Sequence, residues 1–391
     1  MMIEIDLGQP DSDEFEITTI GAGHQSGESV VLHLENGQWV IIDSCVSEKK
    51  VLPLYYLEQI GVPFENVKFV ICTHWHEDHV KGLPDILREC PNAKFYTPNV
   101  GDNRIFLKFV LKRLKLSFTS KSKVWKIFND CYEVLSNRTT LQKPNFFQHE
   151  MVVYTSPNVD LFCLSPSDNM RQNFEEILLA ANTDVETIEA ENKLDDNMCS
   201  LSFALRFHDK RIIIGGDLEC NRKDKEDCCE CIKHCGEKSE KGWCNILEEI
   251  NLFTDYQDYE YIQLSHHSSI NGFCPRIWDE FCKRDEMICT STIFSNNKKV
   301  NLPTKEMLEA YMNLSKSYYI TSTRIGASKV KKIEKTVLDD ELHKTISKIQ
   351  TISDAVGIIC SRYKKGEYWK HYSFGTARLV TENVVKNYPY V

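Results

Sequence analysis

The six residues His74-Trp75-His76-Glu77-Asp78-His79 set three imidazoles and an aspartate at the spacing H-x-H-x-D-H, directly after the apolar run Val67-Lys68-Phe69-Val70-Ile71-Cys72-Thr73. Imidazole nitrogen and carboxylate oxygen are ordinary ligands of zinc and related divalent ions. If the apolar run is a buried strand, the chain leaves it at Thr73. His74 and His76, two residues apart, then point the same way from an extended backbone and would serve one metal. Asp78 and His79, reached as the chain turns toward a helix beginning near Gly82-Leu83-Pro84, would aim at a neighbouring point and hold a second. Proline in a first helical turn suits that boundary. A lone histidine would carry no such reading, whereas the grouped pattern is specific.

These residues resemble the metallo-β-lactamase fold superfamily, in which H-x-H-x-D-H follows a core strand and supplies ligands to two adjacent metals. Further segments match in the same order. Gly21 to Leu32, followed by Trp39-Val40-Ile41-Ile42-Asp43-Ser44, looks like the family's opening hairpin. Asp43 then stands at its first conserved acid, a candidate for fixing a histidine ligand from behind. Ile212-Ile213-Ile214-Gly215-Gly216-Asp217 looks like the strand whose closing aspartate bridges the metals. Tyr261-Ile262-Gln263-Leu264-Ser265-His266-His267-Ser268-Ser269 looks like the late strand that delivers the last histidine. The resemblance assigns His266 as that ligand and turns His267 elsewhere, where His267, Ser268 or His24 could lie near the substrate. Many relatives have a third histidine for the first metal, but here the corresponding stretch reads Leu194-Asp195-Asp196-Asn197-Met198-Cys199-Ser200. Asp196 or Asn197 could supply oxygen there, or the first metal is held only by His74, His76 and the bridging Asp217; either set admits manganese as well as zinc.

Within the superfamily, Gly23 to Leu32, Asn197-Met198-Cys199-Ser200-Leu201, the Gly-Gly-Asp strand and the His-His-Ser-Ser strand resemble the metallo-β-lactamase domain of the competence DNA-uptake protein ComEC. Thr290 to Asn297, Leu302-Pro303 and the helix from Glu306 continue that order, with Leu302 where the branch has a histidine. The match covers most of residues 15–325 and includes no membrane-channel portion.

Strands able to carry such a site recur along the 391 residues. They are read at Ser29–Leu34, Trp39–Asp43, Lys68–Thr73, Ala93–Thr97, Met151–Thr155, Leu161–Leu164, Ser200–Phe207, Arg211–Gly215, Tyr259–Leu264, Ile288–Phe294, Ser317–Thr321, Ala355–Cys360 and Trp369–Leu379, with helical patterns between. Alternating and continuous apolar runs together predict an α/β sandwich of two sheets with helices outside. The resemblance makes this a four-layer αββα hydrolase domain over residues 1–325, with two insertions. Residues 326–391 form a C-terminal extension expected to pack on the same domain, closing a sheet edge or meeting a protein partner, with a hairpin turn at Lys364-Lys365-Gly366-Glu367.

The first insertion, about residues 101–145, is basic and reads as helical. From Arg104 to Lys126 it carries eight Lys and Arg with no acid, interleaved with Phe106, Phe109, Phe118 and Trp125. Lys108, Lys112 and Arg113 are candidate substrate-binding residues, since cations near a metal site steer a polyanion and aromatics offer stacking surfaces. A solvated amphipathic helix explains the same pattern. The second insertion, residues 220–244, holds Cys220, Cys228, Cys229, Cys231, Cys235 and Cys244 beside His234. Cys228, Cys231, Cys235 and Cys244 are candidates for a structural Zn2+, although the spacing is irregular. A solvated insertion with reactive thiols is the alternative. The sixteen cysteines sit in a long chain that shows no secretory or membrane-spanning run, which predicts reduced thiols and a cytoplasmic protein. A formal net charge of −10 opposes non-specific wrapping of duplex DNA but permits one electropositive face.

The expected chemistry is metal-dependent hydrolysis, in which a hydroxide bridging two Zn2+ or Mn2+ ions attacks an electrophile. His74, His76, Asp78, His79, Asp217 and His266 are the expected ligands, and Asp78, Asp217 and His267 the expected catalytic groups. The favoured substrate is a phosphodiester of nucleic acid or a nucleotide, making the protein a phosphodiesterase or nuclease. Hydrolysis of a small ester, amide or peptide is the alternative, because one fold hosts many chemistries. A ligand set without gaps speaks against a non-catalytic scaffold.

Overall fold

The computed structural model describes residues 3–22, 27–101, 123–138, 143–181, 196–220, 242–249, 257–296, 300–323 and 356–388. Two eight-stranded sheets dominate them. In the first, the order is Lys370–Gly375, Gly357–Lys364, Glu14–Gly21, Glu28–His33, Trp39–Ile42, Val67–Ile71, Lys94–Pro98 and Asn145–Phe147. In the second it is Arg378–Leu379, Ser317–Ile320, Ile288–Ser291, Tyr261–Gln263, Lys210–Ile214, Phe203–Phe207, Val159–Cys163 and Val152–Thr155.

Side-chain alternation builds the layers. Trp39 and Ile41 pack outward against the helices Leu52–Gln59, Leu83–Glu89 and Val124–Ser136, while Val40 and Ile42 face the other sheet. In the second sheet Ile212 and Ile214 point inward, and Ile213 points out toward Gly242–Glu249 and Lys305–Leu314. Helix, sheet, sheet and helix therefore stack around three apolar clusters, giving the four-layer αββα sandwich.

Each sheet is antiparallel in one part and parallel in another. Trp39–Ile42, Val67–Ile71 and Lys94–Pro98 run parallel, as do Lys210–Ile214, Tyr261–Gln263, Ile288–Ser291 and Ser317–Ile320. Parallel neighbours bring their carboxyl ends to one edge, the usual place for a site in such sheets.

Several features depart from the sequence reading, three of them for a clear physical reason. Glu14–Gly21, a fully buried strand, was not expected, because its polar Glu14, Glu16, Thr18 and Thr19 do not read as core. Glu16 is buried because Arg362 Nε donates to it at 2.8 Å and Tyr56 Oη at 2.7 Å. The run expected from Trp369 to Leu379 divides at Gly375, whose φ of +66 turns the chain out of the first sheet, so that Arg378–Leu379 joins the second. Phe203–Phe207 begins later than expected, since Leu201 N–H is taken by Thr73 O and Ser202 N–H by Ser165 Oγ.

Beyond residue 355 the chain supplies Gly357–Lys364, paired along its whole length with Glu14–Gly21, and then the neighbouring edge strand. A tight turn with Gly366 at φ +84 and a Glu367 N–H to Lys364 O bond joins the two. Among the described residues no helix is long and apolar enough to cross a membrane.

Candidate metal centre

Every group in the cluster leaves the carboxyl end of a strand. Asp43 follows Trp39–Ile42 with φ +57, and its N–H bonds Ile71 O at 2.7 Å, so the two strand ends are held together. The chain from Ile71 passes through Thr73 and His74 into the one-turn helix Glu77–Val80, with His76 as its extended N-cap. The next helix starts only at Leu83, after Gly82. Asp217 follows Lys210–Ile214 through Gly215 and Gly216. Gly216 has φ +52, and a Cβ there would collide with Leu201 O, so glycine is required for the turn. Gly27 likewise presses on the site helix, where a Cβ would collide with Asp78 O.

Three histidines converge on the Asp217 and Asp78 carboxylates. His79 Nε2 lies 3.4 Å from Asp217 Oδ2 and 3.8 Å from Asp78 Oδ2. His74 Nε2 is 3.7 Å from Asp217 Oδ2. His267 Nε2 is 3.3 Å from Asp78 Oδ2 and 3.8 Å from Asp217 Oδ2. The donor atoms of His74, His79 and Asp217 lie within 4.8 Å of one another, as do those of Asp78, His79 and His267.

The other ring nitrogen of each histidine is spoken for. Asp43 Oδ1 accepts Thr73 N–H at 2.7 Å, and Asp43 Oδ2 accepts Thr73 Oγ1–H at 2.6 Å and His79 Nδ1–H at 2.8 Å. Having given its proton to Asp43, Thr73 Oγ1 can only accept from His74 Nδ1–H, 3.0 Å away. Thr292 Oγ1 donates to buried Glu28 in the same way, and so accepts His267 Nδ1–H at 2.8 Å. The hydrogen-bond network therefore makes Nδ1 the donor in all three rings and leaves Nε2 as the atom that offers a lone pair to a cation whenever the ring is neutral. Those three Nε2 atoms and Asp217 Oδ1 are buried and make no hydrogen bond among the described residues. Buried polar atoms without partners are costly, and a set of them gathered on two carboxylates fits a divalent cation.

Charge reinforces the fit. Burial would raise the Asp217 carboxyl, but His79, His267 and His74 hold it well below the usual range. Burial together with neighbouring His79 and His76 pushes His74 well down. Burial opposes protonation of His79 and His267, yet Asp217, Asp78 and Asp43 hold His79 well up, and Asp217 and Glu28 lift His267 to about 10. Protons on these two rings balance the carboxylates, and a bound cation would take their place.

His266 and His267 exchange the positions read from sequence. His266, His267 and Ser268 have φ of +48, +50 and +58, so strand alternation no longer applies beyond Gln263. His267 is buried in the cluster. His266 is half-buried and turned aside, its Nδ1 2.9 Å from Glu219 Oε1. Asn197 Nδ2 donates to that same oxygen at 3.0 Å. His76 stacks edge-on against His74, with ring centroids 4.5 Å apart, at the half-exposed side of the cluster. Glu28, Thr73, Thr292 and Glu219 were not singled out from the sequence. A glutamate and hydroxyls within apolar strands were the available signal. The Asp196 side chain and residues His24, Lys108, Lys112, Arg113, Cys228, Cys231 and Cys235 lie outside the described residues.

The family model of the metallo-beta-lactamase superfamily matches residues 23–129. No curated protein matches the chain. Among solved structures, it is similar to the metallo-beta-lactamase fold protein YhfI from Bacillus subtilis, at 11% identity over 64% of this chain and 70% of that one, with a TM-score of 0.33. It is also similar to the metallo-beta-lactamase SMB-1 bound to 2-mercaptoethanesulfonate, at 13% identity over 66% and 81%, TM-score 0.32. AidC, a dizinc quorum-quenching lactonase, is similar at 10% identity over 49% and 55%, TM-score 0.28.

Proposed function

We propose that this chain, whose residues 23–129 match the metallo-beta-lactamase superfamily model, is a dinuclear metal-dependent hydrolase that cleaves phosphodiester bonds of nucleic acid or a nucleotide. The observation that supports metal dependence is the set of three histidines whose Nδ1 atoms are tied back, leaving Nε2 lone pairs beside Asp78 and Asp217. Asp78, His79 and His267 would hold one ion, His74 would hold the other with His76 beside it, and Asp217 lies within reach of both. Zinc or manganese bound there supplies Lewis acidity and lowers the pKa of coordinated water.

The remaining steps belong to the chain. Asp43 and Thr73 orient His79 and His74, and Glu28 with Thr292 orients His267, so the site is organised before substrate arrives. Glu219 and Asp217 raise the His266 imidazole above its ordinary pKa against the cost of burial. Its ring centroid is 6.1 Å from that of His267 at the half-exposed rim, which suits it to donate a proton to a leaving oxygen. The phosphodiester preference rests on the likeness of the Asn197–Leu201, Gly-Gly-Asp and His-His-Ser-Ser segments to the ComEC branch, and on the basic stretch containing Lys108, Lys112 and Arg113.

The test is cleavage of single-stranded DNA, duplex DNA, RNA and cyclic dinucleotides by metal-stripped protein refilled with zinc or manganese, with Asp217→Ala and His267→Ala as controls. Cleavage restored by metal and lost in both variants supports the proposal. Silence on every phosphodiester with metal verifiably bound, together with turnover of an ester, lactone or amide, overturns the substrate class.

A further inference from the structure

Away from the histidine cluster, three sulfurs from three separate segments meet in the outer core of the second sheet. Cys220 ends the loop that carries Asp217, Cys244 lies in the first turn of Gly242–Glu249, and Cys274 precedes the helical turn Ile277–Phe281. Their exposures are 4%, 2% and 1%. Cys220 and Cys244 Sγ are 3.3 Å apart, and all three sulfurs lie within 4.8 Å of one another. Zinc bound tetrahedrally at about 2.3 Å to each sulfur requires sulfurs about 3.8 Å apart, which these limits bracket. A disulfide would need about 2.05 Å.

Dispersed buried thiols such as Cys72, Cys163 and Cys289 are ordinary small core residues, and none of them joins such a group among the described residues. Convergence is what sets these three apart. Backbone bonds fix the segments independently of the sulfurs: Cys220 N–H to Asn271 O at 2.6 Å, Trp243 N–H to Glu219 O at 3.0 Å, and Ile277 N–H to Cys274 O at 3.1 Å. The first-turn position of Cys244 also lets helix N–H groups favour its thiolate.

We propose that Cys220, Cys244 and Cys274 form a second metal site, structural rather than catalytic, for a thiophilic divalent ion such as zinc. Each thiol gives its proton to solvent on binding. Because Asp217 and Glu219 lie just before Cys220, the ion would staple the loop holding the catalytic carboxylate to the helical layer outside it.

The test uses full-length protein purified under reducing conditions, stripped and titrated with cobalt as a spectroscopic substitute for zinc. Nitrogen and oxygen ligands at the histidine cluster give only weak d–d bands, whereas thiolates add intense sulfur-to-cobalt charge transfer. The expected result is one equivalent with that charge-transfer band, lost in Cys274→Ser and in Cys244→Ser while cobalt at the histidine cluster remains. A variant with Cys228, Cys229, Cys231 and Cys235 all changed to Ser guards against core substitutions that misfold, and it should keep the band. Absence of the band from the wild-type protein, its loss in that fourfold variant, or isolation of a Cys220–Cys244 disulfide from reduced preparations overturns the proposal.

Discussion

Asp43→Asn isolates the histidine tautomers as a determinant of metal affinity. The substitution preserves shape and suits the backbone, because asparagine tolerates the φ of +57 found at this position. Its amide can still accept Thr73 N–H, but the group facing His79 Nδ1 becomes an NH2 donor instead of a carboxylate acceptor. Nδ1 must then carry the lone pair and Nε2 the proton, which closes His79 to a metal. Alternatively the amide flips and leaves Thr73 N–H unpaired. Losing a charge-assisted hydrogen bond costs about 1.5–3 kcal/mol. That agrees with the 10–100-fold affinity loss, about 1.4–2.7 kcal/mol, common when a carboxylate behind a metal-bound histidine is removed. The assay is competition for zinc against a chromogenic chelator at neutral pH, with circular dichroism and a melting curve to show the fold intact. Unchanged affinity in a folded Asp43→Asn protein would refute the tautomer reasoning.

Other consequences are testable. His267→Ala should abolish binding of one metal equivalent, whereas His266→Ala should keep both equivalents and lower turnover with a loss of the acidic-group dependence in the rate profile. Metal analysis and pH–rate curves of the two variants separate the roles. Arg362→Met leaves the fully buried Glu16 carboxylate without its cation and should cost about 3–5 kcal/mol in denaturant unfolding, with Glu16→Gln/Arg362→Met recovering much of the loss. His371, packed between Tyr319 and Trp369, is pushed by burial down to about 4. The unfolded imidazole takes a proton near pH 6.5, so stability falls as pH drops from there toward 4, by about 1–2 kcal/mol after allowing for partial exposure. The same pH series on His371→Gln should have a shallower slope.

Much of the site lay in local patterns. H-x-H-x-D-H after an apolar strand and Gly-Gly-Asp after another are legible because each sits at a strand end, where direction follows from the element. The choice between His266 and His267 was not legible, since it depends on three consecutive left-handed residues that no side-chain pattern announces. Glu28 was hidden for a related reason: its role comes from Thr292, more than two hundred residues away. In the fold, strands with apolar alternation were read within a few residues of their bounds. Glu14–Gly21 escaped because the charge of its buried Glu16 is matched by partners distant in sequence, Tyr56 and Arg362.

The pairing of Glu14–Gly21 with Gly357–Lys364 also carries a consequence for how the chain is made. Glu16 and Arg362 are 346 residues apart in sequence. During synthesis, the strand next to the opening hairpin has one open edge, and Glu16 lacks its cation, until nearly the whole described chain has been translated. An unpaired strand edge invites pairing with other chains, and contacts of such long range form slowly. Premature release of the polypeptide between residues 292 and 357 would therefore yield an association-prone species, even though every group of the histidine cluster had already been made.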